Sequence, residues 1–139
     1  MTPKQKALVR RSWPWLRDHA EATTELFYER FFTINPNARR LFRDKDMRLQ
    51  GTAFSQMLGL FIRSLDEDEP GIGEAIVASG RRHVGYGVRY SDYEPAGQAL
   101  LWALEQSLGA RFSAEVRDAW EEAFRNLAAT MRQASSGVL

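Results

Sequence analysis

The feature that most limits what this chain can fold into is the spacing of its apolar side chains. Near the C-terminus Val116, Trp120, Ala123, Phe124, Leu127 and Met131 recur every three or four residues, which places them on one face of an α-helix rather than on one side of a strand. The same period returns in Leu8, Val9, Trp13 and Leu16, in Ala22, Leu26, Phe27, Phe31 and Ile34, in Gln50, Phe54, Met57, Leu58 and Phe61, and again from Ala96 to Leu108. No segment alternates over a useful strand length, and no internal repeat is present. The expectation is an all-α fold of six to seven helices around one core. A chain of 139 residues, 44% hydrophobic and 27% charged, is large enough to bury such a core in a single domain. The domain is expected over 1–132, with 133–139 as a frayed tail.

Local punctuation divides the helices. Thr2 before Pro3 reads as an N-cap with proline in the first turn, and Pro14 is expected to kink or end the regular part of that helix. A second helix begins near Ala20 and closes at Asn35-Pro36, a pair expected also to cap a short third helix bearing Leu41 and Phe42. Another runs from about Met47 to Leu65, followed by a charged loop over 66–71 that ends in proline and glycine. Ile72, Ile76, Ser79 and His83 share the face of the next helix, which Gly85 and Gly87 end. Ser91 or Asp92 is expected to cap a helix that reaches Leu108 before Gly109, and Ser113 to cap the last.

Several function classes fall away on composition. With 19 Lys and Arg against 18 Asp and Glu and no long basic stripe, there is no footprint for nucleic acid. No stretch has the length or apolarity to span a membrane or serve as a leader, so the expected compartment is the cytoplasm. The chain has no cysteine and two histidines, His19 and His83, which leaves almost nothing for thiolate metal sites, c-type haem attachment or bis-histidine zinc. For His83 two readings stay open at this point. It is a core or surface histidine, or it is the single axial ligand of a haem iron, with Ser79 one turn earlier able to accept a hydrogen bond from its Nδ1 and leave Nε2 for the metal.

The order of certain elements tips that choice. Leu26-Phe27-Tyr28, Asn35-Pro36 followed by Leu41-Phe42, then Gln50, Gly80-Arg81-Arg82-His83 with Val88 downstream, and Tyr93-Glu94-Pro95 together resemble the globins. More narrowly, they are similar to the bacterial single-domain haemoglobins related to the globin domain of flavohaemoglobins. The resemblance runs from Ser12-Trp13 to about Met131.

It implies a globin fold holding haem b, with His83 as the ligand to iron and Phe42 against the macrocycle. Tyr28 and Gln50 match the polar pair above the iron, Phe54 closes that side as an apolar wall, Val88 packs beneath the haem, and Arg82 is a candidate partner for a propionate. It further implies reversible binding of O2, CO and NO, oxygen transport, and a nitric oxide dioxygenase activity that would need a separate flavin reductase, because no flavin or nicotinamide motif is present. With glutamine in the distal position and His19 far from it, a mainly five-coordinate ferrous haem is expected. A gas sensor or interaction module acting through a protein partner is the alternative. Two departures accompany the resemblance. The family's tyrosine beside the proximal histidine corresponds to Tyr93, but the glutamate that accompanies it falls at or near Ser135, which weakens the case for oxygen activation. An often basic position between Gln50 and Phe54 is Ala53.

Overall fold

A computed structural model describes residues 1–65 and 90–136. Helix α1 spans Pro3–Asp18. Thr2 Oγ1 accepts from the Gln5 backbone N–H at 3.1 Å while Gln5 Oε1 accepts from the Thr2 N–H at 2.9 Å, a reciprocal pair that satisfies two donors the helix start would leave open. Pro14 does not end this helix, which continues to Asp18. The lost hydrogen bond at Pro14 is outweighed by anchors on both sides of it: Trp13 packs over Gly59, and Trp15 Nε1 donates to the Ser107 carbonyl at 2.9 Å.

Helix α2, Ala20–Ile34, buries Thr23, Thr24, Phe27, Tyr28 and Phe31. Of the expected stripe, Phe27 and Phe31 are buried and Leu26 and Ile34 pack against the core, whereas Ala22 is exposed; Tyr28, one position off it, is also buried. Pro36–Phe42 forms a 3-10 helix. Helix α3, Met47–Ser64, starts at Asp46, whose Oδ1 accepts from the N–H groups of Arg48 and Leu49. The helix expected from Ile72, with Ser79, Arg81, Arg82, His83, Val88 and Arg89, lies outside the described residues.

Helix α4, Tyr90–Leu108, begins before Ser91 and Asp92, so neither is its cap. It passes through a 3-10 turn at Gly109–Arg111, where Gly109 takes φ 55°, a left-handed conformation that costs glycine little. Helix α5 spans Ala114–Ser136. Ser113 Oγ accepts from the Val116 N–H at 3.2 Å, as an N-cap does. The helical backbone carries on past 132, where the tail was expected to begin.

These helices pack pairwise, α2 most extensively on α4, α1 on α5, and α2 on α3. Trp120 of α5, 1% exposed, occupies the middle of the core, and its Nε1 donates at 2.8 Å to Ser12 Oγ, which in turn donates to the Val9 carbonyl at 2.8 Å. The largest buried ring thus keeps its polar atom satisfied. Among the described residues all regular structure is helical, in five α-helices and two 3-10 helices, and none is long and apolar enough to cross a membrane.

Candidate functional site

The crossing of α2 and α3 is where polar and aromatic groups converge. It is close because Gly51 lets it be: a Cβ there would stand 2.7 Å from Thr24 Oγ1 and 3.3 Å from Thr24 Cβ. Beside this contact the Gln50 side chain of α3 lies close enough to the Tyr28 hydroxyl on α2 to influence its ionisation. Tyr28 is 7% exposed. Burial pushes its phenol up to about 12, and the Gln50 side chain offsets only part of that rise. At neutral pH the hydroxyl is a protonated donor.

Aromatic rings wall the pair in. Phe42, the last residue of the 3-10 helix, meets the Tyr28 ring edge-on at 5.4 Å and 68°. Phe54, one turn after Gln50, does the same at 6.0 Å and 69° and stacks on Phe27 at 4.4 Å. Phe32 completes the set, edge-on to Phe42 at 5.5 Å. A neutral phenol and a carboxamide inside such a wall present O–H and N–H donors with little water to compete. They suit a small ligand that gathers negative charge.

Tyr28, Gln50, Phe42 and Phe54 are therefore brought together. Tyr93 is half-buried in the first turn of α4 and lines a groove of about 440 Å³ between α4 and α5 with Gly97, Leu101 and Phe124. Arg82, His83 and Val88 lie outside the described residues. Among the described residues no three His, Cys, Asp or Glu side chains come together to hold a metal ion.

The globin family profile matches residues 25–131, a span that takes in the whole of this cluster. The chain belongs to the globin family. This globin is 33% identical over 131 residues to a flavohemoprotein of Bordetella parapertussis, an alignment covering 92% of the chain and 32% of that protein. It is 31% identical over 130 residues to a flavohemoprotein of Bordetella pertussis, again 92% and 32%, and 30% identical over 132 residues to one of Deinococcus radiodurans, 94% and 33%. The chain thus spans about a third of the length of these relatives.

One group of side chains in this globin is not apparent in sequence. Asp92 Oδ1 accepts from Asn35 Nδ2, and its Oδ2 from Arg40 Nη2, each at 3.1 Å. Asn35 stands at the N-cap of the 3-10 helix, as expected, but its side chain makes no capping hydrogen bond and donates to Asp92 instead. Read locally, Asn35 before proline and Asp92 near a helix start both look like caps. Partners more than fifty residues apart leave no periodic signal.

Proposed function

We propose that this globin holds haem b through His83 and reversibly binds O2 and related diatomic gases beside Tyr28 and Gln50. The observation that carries the reading is the buried Tyr28 hydroxyl, walled by Phe42 and Phe54 with Gln50 beside it. The donor set fits the group: two neutral donors stand in an otherwise apolar wall, the chemistry that a flat apolar ring and a small polarised ligand call for.

Ferrous haem, when bound, supplies the site for O2, CO or NO. The chain's own residues decide which ligand is favoured. The Tyr28 O–H and the Gln50 N–H point donors at a ligand that carries partial negative charge, and in a dry pocket each such bond counts for more than it would in water. A less polar ligand such as CO gains less. Phe42 and Phe54 hold the Tyr28 ring and exclude water. On the other side, Val88 would pack beneath the haem, Arg82 would meet a propionate, and Tyr93 would orient the His83 ring.

In this reading the domain occupies 1–132, supported by the family match, and the compartment is the cytoplasm. Nitric oxide dioxygenase activity and oxygen transport are the finer parts of the proposal. The first requires re-reduction, and relatives whose name joins a flavin to haem support a flavin reductase as the partner. The test is oxygen dissociation followed by stopped flow. Tyr28→Phe and Gln50→Leu should each speed it about tenfold, if each hydrogen bond is worth about 1.4 kcal/mol. Rates unchanged in both variants would show that the pair does not face the ligand.

A further inference from the structure

Three segments distant in sequence meet at one carboxylate. Asp92, in the first turn of α4, is 5% exposed. It accepts from Asn35, the joint between α2 and the 3-10 helix, and from Arg40 within that helix, two residues before Phe42. The Arg40–Asp92 ion pair is 3.1 Å long and largely shielded. Arg40 Nη1 is buried with no hydrogen-bond partner among the described residues, and among them Asp92 is the carboxylate that its Nη2 meets.

A shielded ion pair adds little net stability over a well-packed apolar pair of the same volume. What it does is fix direction, since the planar guanidinium must meet the carboxylate in a narrow range of orientations. Here that direction matters. Phe42 is the ring set edge-on against Tyr28 at 5.4 Å and against Phe32 at 5.5 Å, so a shift of the 3-10 helix moves the support on which the Tyr28 hydroxyl is aimed. The residue following Asp92 is Tyr93, at the start of the same helix.

We propose that Asp92 is a positioning residue for the gas-binding wall: through Arg40 and Asn35 it fixes the 3-10 helix that presents Phe42 to Tyr28, and it ties that helix to the turn of α4 bearing Tyr93. The proposal rests on the haem reading given above. Asp92 does not touch the ligand itself; it acts through Arg40 and the Phe42 ring. Arg40 shares only one of the two links that Asp92 makes, so removing Arg40 as well as the Asp92 carboxylate should add nothing to removing the carboxylate alone.

The experiment uses four haem-loaded full chains: wild type, Asp92→Asn, Arg40→Met and the double variant. Each is reduced under CO, and the C–O stretching band is read by infrared alongside the oxygen dissociation rate and the denaturation midpoint. The band responds to the donors aimed at the ligand, which a loss of stability by itself does not move. Asp92→Asn and Arg40→Met should each shift or split the band and speed dissociation about threefold or more, and the double variant should go no further than Asp92→Asn. Singles with a wild-type band and wild-type rates, whether or not the denaturation midpoint falls, would overturn the proposal. Effects that add in the double variant would overturn the link through Arg40. A wild-type chain that takes up no haem would overturn the haem reading and the wall with it, an outcome visible before any variant is compared.

Discussion

A hydroxyl as enclosed as that of Tyr28 makes stability depend on pH in a definite direction. Its phenol ionises near 10 when exposed and at about 12 in the folded chain, so the folded state keeps the proton over a range in which the unfolded state has lost it. Stability contributed in this way is fully present below pH 10 and is lost as pH rises toward 12, with a slope of up to about 1.4 kcal/mol per pH unit. Denaturation midpoints measured across that range should fall less steeply for Tyr28→Phe than for the wild type. Parallel slopes would mean that the hydroxyl is hydrated. At this scale the sequence was only partly legible. Tyr28 stands one position off the Leu26, Phe27, Phe31 stripe, and Thr23 and Thr24 look like surface residues, yet all three are buried. The two threonines go inside because their hydroxyls find acceptors: Thr24 Oγ1 donates to the Ala20 carbonyl at 2.9 Å, and Thr23 Oγ1 lies 2.8 Å from Ser107 Oγ. Hydrophobic periodicity does not register a polar side chain satisfied in this way.

Between elements, the approach of α2 to α3 is set by a missing side chain. Gly51→Ala would put a Cβ 2.7 Å from Thr24 Oγ1, and that oxygen is itself held by the Ala20 and Glu21 carbonyls, so it cannot simply turn aside. The helices must separate. The substitution should cost about 1–3 kcal/mol in chemical denaturation, and adding Thr24→Ala should recover much of it by removing the opposing atoms. No recovery in the double variant would place the strain elsewhere. The identity of the helices was legible from their 3.6-residue period and from the Thr2 and Ser113 starts, because those signals are local. Pro14 does not end its helix, where Trp13 and Trp15 bind the flanking turns to other elements. Asp92 misled because a residue fit for capping was taken up by a tertiary contact, which also engages the side chain of Asn35 at its N-cap.

For the whole molecule, the globin family match and the enclosed donor pair point the same way. A cofactor that binds the folded state and not the unfolded one stabilises it by mass action, so haem uptake ties function to folding. The measurement that tests this most directly is a hemin titration of the purified chain, followed by absorption spectra of the ferric, dithionite-reduced and CO-treated forms, with His83→Ala alongside. The account predicts uptake of one haem per chain, a five-coordinate high-spin reduced spectrum that shifts on adding CO, and weak or lost retention in His83→Ala. No uptake by the wild type, a six-coordinate reduced spectrum that CO leaves unchanged, or full retention in the variant would contradict it.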